Sequence, residues 1–536
     1  MWPGRVGLAG TVGPATAVRA AGEAARGDEA DPGELGRHLP VAHLAGCEVL
    51  LDAALGHSPI LSAGAWGIHH SVSRVSILSN MDFPIPTGAR PSAGQLEGFR
   101  AGLYDCLTKW PGALFELADA ALCSPSPVGS VPSLSLEPVF RRSHGSLYKA
   151  LSFGQVDEDA VRRLLVANRP KYWPAVFAVD ASTWERCDAE CSPERGFYHS
   201  ASKHSAGQPI VAGWSYQWVS QLNFEPDSWT APLDATRVPP SADATDATVA
   251  QVRRLLGLLP KDGEVPVFVF DAGYDPVAIS EGLKHERAQV LVRLRSDRVF
   301  YTDPPAGRRP GAGGRPRRHG QRFKLSDPKS EPRPTAQLRL ADPRYGKVGV
   351  RAWAGLHPKL SGRGRWAGEG LPPIVRGTVI RVDVERLPKP SSRANNKVLW
   401  LWWSGPGKPD LELCLQAYLH RFDLEHTYRF AKNTLGWTRP SLKTPEQADR
   451  WTWLTAAAYT QLRLARGLVD DMRLPWERPR DPALLTPARV RRGFRQLRAE
   501  IGTPANLPKS TTPGPGRPKG TTRPPRTRYP VVKKAA

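Results

Sequence analysis

The feature that most limits what this chain can fold into is a pair of short apolar runs, each closed by an aspartate. WPAVFAVD ends at Asp180 and VPVFVFD ends at Asp271. Both are rich in Val and Phe, bounded by Pro and followed by small residues. That is the pattern of a buried central strand delivering an Asp at its C-terminal edge. An Asp in that place also serves as a turn former or helix cap, so neither alone specifies chemistry. GQPIVAGWSYQWVSQL (207–222) supplies one or two further strands, and ATVAQVRRLLGLLP (247–260) has apolar residues at helical spacing. A short helix at PVAISEGLK (276–284) and a strand at AQVLVRLRS (288–296) complete an α/β order.

A third acid lies far downstream, in YLHRFDLEHTYRFAK (418–432). Tyr418, Arg421, Glu425 and Lys432 stand at offsets of 3, 7 and 14 residues. At about 100° per residue, those offsets fall within roughly 60° of one another on a helix. One helix face thus presents an acid, two cations and a phenol, which suits a site that holds a metal and grips a phosphodiester. A solvated charged face has the same composition. Two strand-end aspartates plus a helical glutamate make a three-carboxylate cluster, the hard oxygen donor set preferred by Mg²⁺ or Mn²⁺. Two such ions stabilise the attacking and leaving oxygens of an in-line phosphoryl transfer.

With FAVDAST around Asp180, VFDAGYD around Asp271 and the four spaced residues of 418–432, the chain resembles a bacterial insertion-sequence DDE transposase. The group is the one marked by a Tyr-Arg-Glu-Lys signature, and the resemblance runs from about residue 92 to about 470. It implies a ribonuclease-H-like core: a mixed sheet flanked by helices, the third acid on a helix, and a β-rich insertion before that last catalytic helix. It also implies that a helical N-terminal domain binds the terminal inverted repeats, although the same helices fit a cap packed on the core. Asp180, Asp271 and Glu425 are then the catalytic residues and the ligands of two Mg²⁺ (or Mn²⁺) ions, with Tyr418, Arg421 and Lys432 on the DNA backbone. In this group a tryptophan of the insertion stacks on a flipped base. Trp400, Trp402 and Trp403 are the candidates here, and filling a β-sheet core is the alternative role for them.

Six segments are expected: an extension over 1–80, helices over 81–168, the first part of the core over 169–296, the insertion over 297–410, the rest of the core over 411–475, and a region over 476–536 ending in a basic tail. The Ala/Gly-rich 1–80 stretch does not resemble the family, and Met81 reads as a natural start. A net charge of +23 and a pI near 10.0 fit a double-stranded DNA partner, at both inverted-repeat ends and target. RRPGAGGRPRRHGQRFK (308–324) is either a DNA-contacting loop or a solvated one, and Gly516-Arg517-Pro518 resembles the core of an AT-hook. Six sparse cysteines fit a reducing cytoplasm, here a bacterial one with the protein at the nucleoid. Cys187, Cys191, His199 and His204 have zinc-type side chains, but their spacing is short for a finger, so the histidines are expected near Asp180 instead. No apolar stretch approaches the roughly 20 residues of a membrane span. The expected function is DNA cleavage and strand transfer at insertion-sequence ends by a homodimer. A decayed or domesticated DNA-binding copy and a related metal-dependent nuclease are the alternatives.

Overall fold

The computed structural model describes residues 92–199, 209–305, 317–368, 370–387, 397–509, 518–522, 525 and 528–533. The 1–80 extension, Cys47, His204, Gly516 and Arg517, and the 308–316 part of the basic run lie outside them.

Both apolar runs form strands, but they end differently. Strand β1 (Val176–Glu185) continues five residues past Asp180, whereas β5 (Val267–Phe270) stops one residue before Asp271. The cause is pairing. β1 lies parallel to β5 only as far as Ala178 opposite Val269, while its antiparallel ladder with β3 (Ile210–Leu222) runs on to Glu185 opposite Gly213. The expectation that β1 ends at Asp180 is therefore corrected: Asp180 sits mid-strand, just beyond the point where β1 parts from β5. Gly213 is required there, because a Cβ on it would lie 2.1 Å from the carbonyl oxygen of Trp184.

Two strands share the outer edge of β3: β2 (Gly196–His199) at one end and β4 (Thr230–Val238) at the other. On the far side of β5 comes β6 (Gln289–Leu294), also parallel. Strand order β4-β3-β1-β5-β6, with helix α6 (Ala244–Leu256) before β5 and α7 (Pro276–Gly282) after it, is compatible with a ribonuclease-H-like DDE fold. The later strands prolong the same sheet. β12 (Val398–Ser404) pairs antiparallel with β6, and β11 (Gly377–Val384), β10 (Gly346–Leu356) and β9 (Ala336–Asp342) follow in turn. Strands β7 (Val299–Tyr301) and β8 (Arg322–Lys324) pair separately.

Alternation along the strands gives each face its own core. Phe177, Val179, Phe268, Phe270, Val290 and Val292 face α6 and α7. Ala178, Trp218, Val269 and Leu291 face a helical layer. That layer is made of α8 (Leu411–His420), α9 (Asp423–Asn433), α10 (Pro445–Ala465) and α11 (Pro487–Ile501). The N-terminal helices α1 (Ala93–Asp105), α2 (Pro111–Cys123), α3 (Val131–Leu134), α4 (His144–Phe153) and α5 (Glu158–Ala167) join the same core. A buried ion pair ties them in. Arg100 Nη1 donates to Asp119 Oδ1 at 2.7 Å and to Gln461 Oε1 of α10 at 2.6 Å, and Arg498 of α11 lies 3.2 Å from Asp119.

The tryptophans singled out in the insertion are core residues. Trp402 is wholly buried, stacks on Phe300 at 5.4 Å and donates its indole N–H to Ser280 Oγ at 2.9 Å. Trp400 lies 5.9 Å from both Phe323 and Trp353, and Trp403 is buried in the helical-layer core. Base stacking by any of the three is corrected on this ground, since no ring presents an open face; they fill the sheet interior. Among the described residues, no helix is long and apolar enough to cross a membrane.

Candidate active site

The sheet brings the two aspartates side by side. Ala178 is opposite Val269 where β1 and β5 part, and two residues on in each strand's chain stand Asp180 and Asp271, close enough that the Asp271 charge acts on Asp180. Neighbouring strands lie about 4.8 Å apart, so two like charges meet on one face. The same row continues to Arg293, two residues beyond Leu291, which is the β6 partner of Val269. Arg293 was not among the residues picked out from the sequence. The alternating VLVRLR pattern of β6 carried the signal, because it puts this cation on the face that Val269 and Asp271 share.

Backbone donors fix both carboxylates. Asp180 Oδ1 accepts from the Ala181 N–H at 2.8 Å, and Asp271 Oδ1 accepts from the Gly273 N–H at 2.8 Å within the turn that follows β5. Asp180 and Asp271 are 6 % and 2 % exposed. Burial pushes the Asp180 carboxyl up to about 6, with Arg421 opposing the rise and Asp271 adding to it. Asp271 is likewise raised by burial, against the pull of Arg421, Arg293 and Arg295.

Residues 418–432 do not form one helix. The ladder tightens at the joint, where the Leu424 N–H bonds Arg421 O and the Glu425 N–H bonds Phe422 O, both three residues back. Tyr418 thus belongs to α8, Glu425 and Lys432 to α9, and Arg421 to the joint between them. Helix α9 is held on the sheet by Tyr428, whose hydroxyl donates to the backbone oxygen of Asp180 at 2.8 Å, and by Lys432, whose Nζ donates to Thr183 O at 3.4 Å. Thr427 adds a hydroxyl pair with Thr230 of β4 at 2.8 Å. Tyr428 was also overlooked in the sequence, where it reads as one more aromatic in a buried helix stripe.

Arg421 is the centre of the cluster. Its guanidinium, 1 % exposed, places Nη1 3.3 Å from Asp180 Oδ2 and Nη2 3.7 Å from Glu425 Oε1. The ring of Phe422 lies 5.1 Å away. Arg421 therefore faces carboxylates in this structure, not an open DNA groove. Tyr418 is fully buried beneath it and lines an apolar cavity with Leu415, Val382 and Leu399, so the expected phosphate contact is not open to it here. Lys432 is half-buried, with Nζ 5.7 Å from the Trp437 ring centroid.

The donor chemistry is of the kind a divalent metal takes: Asp180 and Asp271 repel each other, and Asp180 shares Arg421 with Glu425 of α9. Among the described residues, however, no three Asp, Glu, His or Cys groups converge tightly enough to hold an ion, since Asp180 and Glu425 both lean on Arg421. The placement of His199 near Asp180 is corrected. His199 pairs with Ile210, eight residues along β3 from Trp218, the partner of Asp180, or about 26 Å of strand. Cys187 and Cys191 are exposed on the loop before β2.

A mixed sheet with this acid row is compatible with a DDE-type phosphoryl-transfer site. The family comparison agrees: residues 102–359 match the model described as DDE superfamily endonuclease. The match takes in Asp180, Asp271 and Arg293 and ends before Glu425, and it supports a DDE transposase or nuclease family with a DNA substrate. Comparison with curated proteins gives no match.

Proposed function

We propose that this protein is an insertion-sequence transposase of the Tyr-Arg-Glu-Lys group, cleaving DNA at the element's ends and transferring the freed strand to target DNA. The observation that supports the reading is the buried pair Asp180 and Asp271, whose charges oppose each other, with Asp180 and Glu425 of α9 sharing Arg421. Asp180, Asp271 and Glu425 would hold two Mg²⁺ or Mn²⁺ ions, which supply charge neutralisation for the attacking and leaving oxygens of an in-line displacement. The chain's own residues do the rest. Lys432 and Arg293 offer cations on either flank of the acid row for the scissile strand's phosphates. Tyr428 and the Gly273 turn fix the backbone under Asp180 and the carboxylate of Asp271. The sequence's basic excess supports long-range attraction to DNA, and in this reading a homodimer in the cytoplasm would hold the paired ends. In this reading the 297–410 segment is a β-rich insertion and residues 93–167 a helical cap built onto the core.

The test is cleavage of the flanking insertion-sequence ends by purified full-length protein with Mg²⁺, beside Asp271→Ala. Metal-dependent cuts that vanish in the variant are expected; tight binding without cuts would leave a decayed DNA-binding copy. The family description names an endonuclease, which favours a second reading of cutting without joining. Supplying 3′-hydroxyl ends decides between them, since a transposase joins those ends to target DNA and a plain nuclease leaves them free.

A further inference from the structure

We infer that Arg421 is the resident cation of the metal-free site, competing with divalent metal for Asp180 and Glu425 and leaving them for a DNA phosphate when metal enters. The inference rests on the metal-dependent reading above. Three observations carry it. One guanidinium bridges two of the three acids from different elements, Asp180 of β1 and Glu425 of α9, at 3.3 and 3.7 Å. Both contacts are longer than the 2.7–2.9 Å of a tight charge-assisted bond, so neither is a bidentate fork. With the bridge in place, no three donors converge among the described residues.

Charge makes the competition unavoidable. A guanidinium does not lose its proton in a protein, so its positive charge cannot be titrated away to make room for a second cation. An ion binding Asp180 and Glu425 must either repel Arg421 in full or displace it. Arg421 sits at the one tightened turn between α8 and α9, its head against the rings of Phe422 and Tyr418. Once released, a planar five-donor group is suited to a phosphate's oxygens. Arg421 would then be a positioning residue in the metal-free protein and a DNA contact only in the loaded complex. The expected exposed phosphate clamp and the observed buried ion pair are, on this view, two states of one side chain.

Two consequences are measurable without turnover. First, in the full-length protein without DNA, Arg421→Gln should bind Mn²⁺ roughly tenfold or more tightly than wild type, read from free Mn²⁺ by electron paramagnetic resonance. Second, reciprocity requires that a short DNA duplex raise the Mn²⁺ affinity of wild type and raise that of Arg421→Gln much less. Arg421→Lys keeps a charge but cannot span both acids, so it should bind Mn²⁺ several-fold more tightly than wild type; it carries the test if the Gln variant does not fold. Equal Mn²⁺ affinity in wild type and a folded Arg421 variant, with Asp271→Asn abolishing binding in both, would overturn the inference and leave the metal site standing. Unchanged Mn²⁺ binding in Asp271→Asn would remove the metal site from this cluster, and the inference with it.

Discussion

Asp180 is where the cost of assembling this site is concentrated. Its carboxyl is buried, has Asp271 for a neighbour, and is pushed up to about 6. The folded protein therefore holds a proton on it between the ordinary value of 3.8 and about 6, where the unfolded chain has released it. Stability contributed by this group is complete below 3.8 and is lost as pH rises through about 6; Asp271, raised by burial too, acts in the same direction. In metal-free protein, the unfolding free energy should fall by about 1–3 kcal/mol on this account across that window. Asp180→Asn, which cannot ionise, should flatten that decline. Urea unfolding at several pH values in the presence of a chelator measures it. An Asn variant that declines as steeply as wild type would mean that Asp180 is not the group responsible. Arg421 moderates the repulsion without removing it, which is why the residue belongs to the site although it does not face solvent.

At the scale of elements, the site depends on how α9 is seated on β1. Tyr428 joins them, its hydroxyl donating to the carbonyl oxygen of Asp180 at 2.8 Å. Trp218 and Trp437 pack against its ring at 5.9 and 6.1 Å. Tyr428→Phe keeps the packing and deletes the bond. The expected loss is about 1 kcal/mol of stability and roughly tenfold or more in cleavage rate, because Glu425 and Asp180 lose a shared anchor. Cleavage kinetics with Mg²⁺ beside a denaturation curve separate the two effects: a normal rate with lowered stability would make Tyr428 structural only. The sequence was legible wherever local pattern decided the outcome. The apolar runs of β5 and β6 and the periodicity of α6 all became the expected elements. Strand β4 was not legible, because Pro232 and the buried Asp234 break its apolar pattern. The Pro is tolerated there since β4 has no partner strand on its outer side among the described residues, and Asp234 is satisfied by Arg162 at 2.8 Å. Nor was the α8–α9 joint legible. Nothing in YLHRFDLEH interrupts a helix, and the tightened turn is stabilised by what Arg421 meets across the sheet.

For the molecule as a whole, non-local pairing decides what local pattern leaves open. A β-rich insertion was expected, but not that its strands β9, β10 and β11 extend the sheet of β1 and β5 through β12 and β6. Similarly, the helices of 93–167 were legible as helices, while their integration with α10 and α11 was not, because it rests on residues hundreds of positions apart. Arg100 joins Asp119 to Gln461 and also donates to Gly502 O at 3.2 Å; Arg491 of α11 donates to Ala121 O at 3.0 Å. Leu96, Phe99, Leu114, Phe115 and Leu117 are buried in the core that also holds Leu454, Leu462 and Phe494. Removing residues 1–168 would expose that apolar layer and leave partners of a buried ion network unpaired, a loss that far exceeds the 5–15 kcal/mol by which domains are usually stable. The expected outcome is a truncated protein with no cooperative unfolding transition by circular dichroism and no Mn²⁺ binding, rather than a working nuclease that has merely lost recognition of DNA ends. A soluble truncation that still unfolds cooperatively and still binds Mn²⁺ would instead mean that the helices are a separable domain, and their contacts with α10 and α11 a docking surface between two independently folded parts.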